Sequence, residues 1–328
     1  MKMKSFKGIY FGKLAALMLT GFVATQVFAQ AFPSKPIKII APFSPGGSVD
    51  LMARYICLSF TKSFGQECVV ENKAGAGGII GMSAMLAAPA DGHTLAMMPS
   101  NLSIIPSLYN KVPYDTLKDV APIALVSSTP LMIGTHPSVP AKSFQELISY
   151  IQQSKGKVSF TACGSASPQH LAGEMLGTIA SLNWTHIPYK GCADAMVGVI
   201  SGDIPVWFSN YTHFAPQIKA GKLKGFAMLG ANRTSFAPEF PTVSESGFPG
   251  FEASVWYGLV GSSKIPASVI SRLNEEVNKA LNSPDMKEKL RQGEYEPIGG
   301  STQKFGDVIK SDLIKFEAVI KKANIKVE

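Results

Sequence analysis

The chain has 328 residues, with 31 basic and 23 acidic side chains, 30 glycines and 22 prolines. This length is enough for two domains of ordinary size. No cluster of lysines and arginines interleaved with aromatic residues is present, which argues against a nucleic-acid-binding protein.

Residues 1–29 are predicted to be a secretory signal peptide. Four lysines precede an apolar run over residues 14–27, and no acidic residue occurs before Asp50. Val27-Phe28-Ala29 has the side chains that a signal peptidase accepts, so we expect cleavage after Ala29. The run is shorter than the roughly 20 apolar residues of a membrane span, and no cysteine follows for lipidation, so no stable membrane anchor is expected.

Loss of the leader changes the charge of the chain. The remaining residues have 27 basic and 23 acidic side chains, a net charge of +4. This mild positive balance suits an anionic ligand without identifying one. No second apolar run is long enough to span a bilayer, so the mature protein is expected to be soluble.

The first predicted module alternates strands, loops and helices. Strands are predicted over residues 36–42, 66–72 and 94–98, and helices over 49–64 and 79–88. This alternation favours a parallel sheet with crossover helices. Because ligands of open parallel sheets bind beyond the carboxyl ends of the strands, the loops that follow these strands are candidate site walls.

A second module is predicted to start near Leu131, and the chain is predicted to return to the first module after residue 230. Strands of the second module are expected over 131–135, 158–163, 184–188, 204–209 and 223–229. Its helices are expected over 144–153, with Ser143 as the cap, and over 169–181, 193–201 and 214–220. The returning segment is expected to contain a strand over 253–261 and helices over 266–282, 284–292 and 302–323. The predicted units are therefore lobe 1 (30–129 and 231–328) and lobe 2 (130–230).

Three glycine-rich loops precede predicted helices, at residues 43–48, 75–78 and 164–167. Such a loop presents backbone N–H groups at a positive helix end, which is a ready site for an anion. Three of them in one chain indicate an anionic ligand. Neither the complete GxGxxG pattern nor GxxxxGK[ST] is present, which argues against nucleotide phosphate.

No catalytic or metal constellation is found, and no cofactor is predicted. GxSxG and HExxH are absent, and the five histidines do not cluster with cysteines or carboxylates at metal spacing. His170 and Glu174 lie four residues apart on one predicted helix, where they would form an ion pair more readily than a metal site. A rival interpretation is a secreted hydrolase that uses Ser165 or Ser167 with His170.

Four aromatic residues have two interpretations, as pocket walls or as core. They are Phe43, Trp207, Tyr211 and Trp256. We expect Trp256 to be in the core, while both interpretations stay open for Phe43 and Tyr211 at strand ends.

The four cysteines are Cys57, Cys68, Cys163 and Cys192. An even number in an exported chain permits disulfides, and the pairs closest in sequence are the simplest of the three possible pairings. Buried free thiols are the alternative, and the sequence leaves both open.

Several sequence blocks together resemble one family, the Bug-type receptors of tripartite tricarboxylate transporters. The resemblance covers residues 32 to about 323 and rests on these blocks in this order: FPSKPIKIIAPFSPGGSVD, VVENKAGAGGIIG, AAPADGHTL, SASPQHLAGEM, HIPYKGCADAMVGVISGDI and PTVSESGFPGFEASVWYGL. It implies an α/β fold of periplasmic binding protein type II, with two Rossmann-like lobes and a ligand cleft between them.

The resemblance also implies a function. Such a receptor captures a small carboxylate in the periplasm, a dicarboxylate, an amino acid or an aromatic acid, for the membrane transporter subunits of a tripartite system. A sensor component that presents its ligand to a signalling partner is an alternative.

The same resemblance implies a set of ligand-binding residues. From lobe 1 these are Phe43, Pro45, Gly46, Gly47, Asp50, Ala76, Gly77, Gly78, Ser100 and Asn101. From lobe 2 they are Ser165, Ala166, Ser167, His170, Tyr189, Lys190, Gly191 and Asn210.

Three cysteines depart from the family pattern. Cys163 replaces a small residue, Cys68 replaces a common proline, and Cys192 follows the Tyr189-Lys190-Gly191 loop. Cys163 and Cys192 are expected to flank the mouth of the cleft, where a disulfide would reshape specificity.

Overall fold

The computed structural model describes residues 1, 32–165, 167–189 and 191–325. The predicted signal peptide after Met1 lies outside the described residues, as do Ala166 and Lys190. Within the described part, no helix has the length and apolar character needed to cross a membrane.

The elements up to the first long strand match the predicted pattern closely, with two added helices. They are β1 (Ile37–Ala41), α1 (Ser48–Phe64), β2 (Cys68–Asn72), a 3-10 turn (Ala76–Gly78), α2 (Ile79–Ala87), β3 (Thr94–Pro99), α3 (Asn101–Leu108), α4 (Thr116–Asp119) and β4 (Val120–Thr135). The predictions did not include α3, which contains Pro106, or the short α4.

The middle of the chain also matches the predicted order, with shorter strands. Its elements are α5 (Phe144–Gln153), β5 (Ser159–Thr161), α6 (Pro168–Ile179), β6 (Thr185–His186), α7 (Cys192–Ile200), β7 (Val206–Asn210), α8 (Tyr211–Lys219) and β8 (Lys224–Met228). The predicted cap of α5 is confirmed, because the Ser143 side chain accepts a hydrogen bond from the N–H of Glu146.

The last elements are β9 (Ser254–Ser262), α9 (Ala267–Asn282), α10 (Pro284–Gln292), β10 (Glu296–Pro297) and α11 (Thr302–Lys322). The two-residue β10 was not predicted. All three helices begin within one residue of their predicted starts, since proline and serine at helix starts are strong signals.

The sheet is mixed, so the expectation of a parallel sheet holds only in part. Its strand order is β2-β1-β3-β9-β4-β7-β5-β6, and β8 and β10 also pair with β4. β1 is parallel to β2 and β3, as predicted. β9, however, is antiparallel to both β3 and β4, and β4 is antiparallel to β7.

The longest strand, β4, connects the two halves of the sheet. Its residues 120–130 pair with β9, and residues 131–135 pair with β7 and β8. The sequence predicted a strand only from Leu131, which was wrong. Pro122 and Pro130 argued against a strand over residues 120–130, because proline cannot donate a ladder hydrogen bond. The strand accommodates Pro122 beside a register shift that interrupts the ladder.

Most of the large aromatic residues are core. Trp256 packs edge-to-face on Phe305, which confirms the core interpretation. Trp207 is fully buried, and Tyr211 is buried and stacks on Phe236, so neither forms an open pocket wall. Phe43 is partly exposed in the loop after β1.

A smaller hydrophobic group joins three helices from distant parts of the sequence. Leu171 of α6 packs with Ile104 of α3 and with Phe316 and Ile320 of α11, and all four are buried. We call these four residues the helix junction. It holds α6, which begins at a predicted ligand loop, against helices from the other half of the sheet.

Both disulfides of the simplest pairing are present, Cys57–Cys68 and Cys163–Cys192. The first ties α1 to β2, and the second ties the loop after β5 to the first residue of α7.

Candidate functional site

The carboxyl ends of strands from both halves of the sheet face one another. β1, β2 and β3 end at one edge, where the loops at residues 42–47 and 73–78 and Ser100 follow. β4 continues beyond this edge, and β7 and β5 run opposite to it, so their carboxyl ends point back toward the first half. The predicted ligand loops therefore lie on the two sides of one cleft.

A buried carboxylate organises the first glycine-rich loop. Asp50 is 4% exposed and accepts hydrogen bonds from the Gly46 N–H (3.0 Å), Arg54 Nε (2.9 Å) and Asn72 Nδ2 (3.0 Å). Asn72 also donates to the carbonyl of Phe43 (3.1 Å). Asp50 thus holds the loop in place, and its predicted contact with ligand stays a prediction.

The hydrogen bond from Arg54 lowers the pKa of Asp50 to about 2, assisted by the Gly46 N–H and Asn72 and opposed by burial. Because the folded-state pKa lies below the ordinary value of 3.8, the unfolded chain binds the proton more tightly. The resulting stabilisation is fully present above about pH 4 and is lost as the pH falls toward 2.

We expect Asp50→Asn to lower the free energy of unfolding by about 1–3 kcal/mol at pH 7, because its amide cannot accept from all three donors. Urea denaturation at pH 7 and at pH 3 measures this cost, which should be smaller at pH 3. Asp285→Asn is the matched control, since Asp285 is exposed and also pairs with a basic residue four positions on, Lys289. It should change stability little. Equal effects of the two substitutions would contradict the assigned role of Asp50.

The second glycine-rich loop is a tight turn that packs on the first. Ala76, Gly77 and Gly78 all have positive φ (46°, 63° and 113°). A side chain on Gly78 would contact the ring of Phe43, and the Gly78 N–H donates to the carbonyl of Gly75. Since the Gly46 and Gly78 N–H groups have partners within the protein, ligand contacts in lobe 1 depend on other hydrogen-bond donors in or near these loops.

One such donor is the hydroxyl of Ser100, which follows β3. Ser100 is fully buried, its N–H donates to the carbonyl of Trp256, and its hydroxyl has no partner among the described residues. An unpaired buried hydroxyl is costly, and a ligand or water that completes it is favoured. Asn101 is the first residue of α3 and is partly exposed.

In the second half of the sheet, Ser167 and His170 are hydrogen-bonded to each other at the start of α6. The Ser167 hydroxyl donates to the carbonyl of Gly164 (2.8 Å) and accepts from the His170 N–H. The His170 ring stacks on His186 at 3.6 Å, and its Nε2 lies 3.3 Å from Glu174 Oε1, which confirms that these two side chains pair. This arrangement gives no support to a Ser167–His170 hydrolase.

Burial lowers the pKa of His186 to about 3, and the nearby charge of His170 acts in the same direction. His186 is therefore neutral around pH 7, and the stacked pair does not carry two positive charges.

A chain of polar side chains crosses from one half to the other. Gln169 donates to Asn210 (2.7 Å), and Tyr295 donates to Ser48 (2.6 Å). Between them lies Tyr257, which is 3% exposed and interacts through its hydroxyl with both Ser48 and Asn210. Burial raises its pKa far above the ordinary value, so the hydroxyl keeps its proton.

Sequence reasoning predicted Asn210 but missed Gln169, Tyr257 and Tyr295. Tyr257 stands in one of the blocks used for the resemblance, and its pairing with Pro99 places it where β3 ends. No local signal identified the other two.

Tyr189 and Gly191 lie in the loop before α7, and Ser165 is exposed in the loop after β5. The carbonyl of Tyr189 lies beside Gly164, and its hydroxyl is so close to Gly198 that a side chain there would collide. The structure thus brings these two lobe 2 loops together. The predicted contacts of Ala166 and Lys190 lie outside the described residues.

Within the described part, three potential metal ligands lie close together: Cys163, Cys192 and His213. Both sulfurs are joined in a disulfide, so they are not thiolate ligands in this form.

Comparison with known proteins agrees with this architecture. The sequence model of the family described as tripartite tricarboxylate transporter family receptor matches residues 52–325. Protein BugT of Bordetella pertussis is 32% identical over 319 residues, which cover 96% of this chain and 97% of BugT.

Solved structures agree as well. The periplasmic binding protein BugD superposes with a TM-score of 0.74 at 30% identity, covering 90% of this chain and all of BugD. R. palustris Rpa4515, solved with adipate, gives 0.77 at 28% identity, covering 90% and 99% of the two chains. MatC of Rhodopseudomonas palustris, solved with bound malate, gives 0.73 at 25% identity, covering 88% and 100%.

The fold is therefore that of a two-lobed periplasmic binding protein, and the family consists of solute-binding receptors. Since the family model spans most of the sequence and BugT matches along nearly its whole length, the chain belongs to the Bug-type receptor family of tripartite tricarboxylate transporters.

Proposed function

We propose that this chain is exported to the periplasm, captures a small dicarboxylate in the cleft and delivers it to membrane subunits of a tripartite transporter. The observation that carries the proposal is the pair of loop sets facing each other across the cleft, each leading into helices. α1 and α2 follow the two glycine-rich loops of lobe 1, and α6 and α7 follow the loops of lobe 2.

Electrostatics favours an anion on both sides. The amino-terminal end of a helix carries a partial positive charge and free N–H groups, which suits a carboxylate. Asp50, near the start of α1, does not oppose this because the Arg54 guanidinium balances its charge and the Gly46 N–H and Asn72 amide complete its hydrogen bonds. Two separated anion sites match a ligand with a carboxylate at each end.

The related structures give further support. Rpa4515 was solved with adipate and MatC with malate, and each of these ligands has two carboxylates. The polar chain through Tyr257 supplies neutral hydrogen-bonding groups between the loops of the two halves.

A thermal-shift screen with dicarboxylates of different length tests the proposal. Binding at a ligand concentration one hundred times Kd should stabilise the protein by about 2.7 kcal/mol. Matched monocarboxylates should shift the melting temperature much less, because they occupy one end only. No shift with any carboxylate, together with a clear shift from a sugar or a metal ion, would exclude this function.

Delivery to a transporter is tested in cells. Deletion of the gene should abolish uptake of the ligand identified in the screen, and re-expression should restore it. Normal uptake combined with loss of ligand-induced gene expression would instead identify a sensor component.

A further inference from the structure

The two disulfides of the chain lie in different surroundings. Cys57 is 5% exposed in the middle of α1, and Cys68, the first residue of β2, is partly exposed. Cys163 and Cys192 are both partly exposed beside the loops of lobe 2. A small thiol in solution can therefore approach both cysteines of Cys163–Cys192, but only Cys68 of the other pair.

A hydrogen-bonded pair touches one sulfur of this bond. Cys163 Sγ lies 3.3 Å from Ser209 Oγ, which lies 2.7 Å from His213 Nδ1. Burial lowers the pKa of His213, so its ring is neutral around pH 7. With the proton on Nδ1, His213 donates to Ser209 and leaves the serine hydroxyl free to donate to the sulfur. Such a donor stabilises a thiolate.

The other sulfur lies at the start of a helix. Cys192 is the first residue of the nine-residue α7, and the preceding Gly191 has no side chain to cap the helix. The N–H groups of the first turn are thus available to a thiolate on Cys192. Cys57, by contrast, lies in the interior of α1, where the N–H groups of the helix are already paired.

We propose that Cys163–Cys192 is a thiol-exchange site, which a small thiol reductant opens while Cys57–Cys68 stays closed. A disulfide is cleaved faster when the leaving thiolate is stabilised, and stabilising the reduced form makes reduction more favourable. Here each sulfur has a stabilising donor, so either direction of attack releases a stabilised thiolate.

The exchange has two steps. The thiolate of the reductant attacks one sulfur, the protein disulfide bond breaks, a mixed disulfide forms, and the other sulfur leaves with the electron pair and takes a proton from water. A second reductant thiolate attacks the reductant sulfur of the mixed disulfide, which releases the second cysteine. Two reductant thiols thus pass two electrons and two protons to the protein and become one disulfide.

Selective reduction of the native mature protein tests the proposal without any substitution. The protein is incubated with graded dithiothreitol or 2-mercaptoethanol, free thiols are alkylated, and peptides are identified by mass spectrometry. Cys163 and Cys192 should become alkylated at a reductant concentration at least about tenfold lower than Cys57 and Cys68. Simultaneous opening, or earlier opening of Cys57–Cys68, overturns the proposal.

A variant tests the role of the hydrogen-bonded pair. Ser209→Ala removes the hydroxyl beside Cys163 and should slow the opening of Cys163–Cys192 by several-fold, with Cys57–Cys68 as control in the same molecule. An unchanged rate overturns the assignment of Ser209 and His213. Should the variant unfold, both disulfides would open together, and His213→Phe is then tested instead. It keeps the Ser209 hydroxyl but makes it a weaker and less fixed donor to the sulfur, because it no longer accepts from His213, so the opening of Cys163–Cys192 should again slow.

Discussion

We expect Gly46→Val to lower ligand affinity at least about a hundredfold, while the protein still folds. Gly46 has φ +85°, a conformation that a β-branched residue adopts only with strain, yet a Cβ there would meet no atom within 4 Å. The strained loop relaxes and pulls its N–H away from Asp50. The displaced loop then no longer donates to the carboxylate of the ligand. Loss of two such charge-assisted hydrogen bonds, about 1.5 kcal/mol each, corresponds to the expected hundredfold loss of affinity.

Calorimetric titration with the best dicarboxylate from the thermal-shift screen measures the loss. Gly221→Val is the matched control, because Gly221 also has positive φ (68°) and open space around it but lies in the turn after α8. Both variants should lose a similar amount of stability, about 1–2 kcal/mol, and only Gly46→Val should lose affinity. Normal binding by Gly46→Val would remove this loop from the site.

Local signals predicted most elements of this fold. A run of β-branched residues bounded by Pro36 and Pro42 identified β1, and Ser143 marked the start of α5 because its side chain caps the helix. The crossing strand β4 was predicted only from Leu131, since its prolines resemble a loop until pairing with β9 and β7 accounts for them. Tertiary contacts, and not the local sequence, therefore determine that residues 120–130 form a strand.

The residues of the candidate site also fall into two groups, those that a local sequence pattern shows and those that only tertiary contacts bring together. Glycine-rich turns are visible in the sequence, because each depends on residues close along the chain. The observed cysteine pairing was one of the alternatives that the sequence left open. The path from Gln169 through Tyr257 to Ser48 joins residues far apart, so no local pattern shows it. The contact of Asp50 with ligand stays a prediction, and the hydrogen bonds of its carboxylate with Gly46, Arg54 and Asn72 were not predicted.

The helix junction leads to the prediction with the largest effect on stability. Phe316 is 4% exposed and packs with Ile104, Leu171 and Ile320, from three helices that meet only in the folded protein. Truncation to alanine removes the buried ring and leaves a cavity that the surrounding helices cannot fill. Phe316→Ala should therefore lower the free energy of unfolding by about 3–5 kcal/mol, as measured by urea denaturation.

The same helix supplies a matched control for this prediction. Ile314 lies two residues before Phe316 on α11 and is 72% exposed, so Ile314→Ala should change stability by less than about 0.5 kcal/mol. Because Leu171 follows directly after His170 in α6, the junction also fixes the helix that begins at the Ser167 loop. Phe316→Ala should thus weaken ligand binding from a distance, through a displaced α6, and Ile314→Ala should not. Equal stability of the two variants would show that the junction does not hold α6 in place.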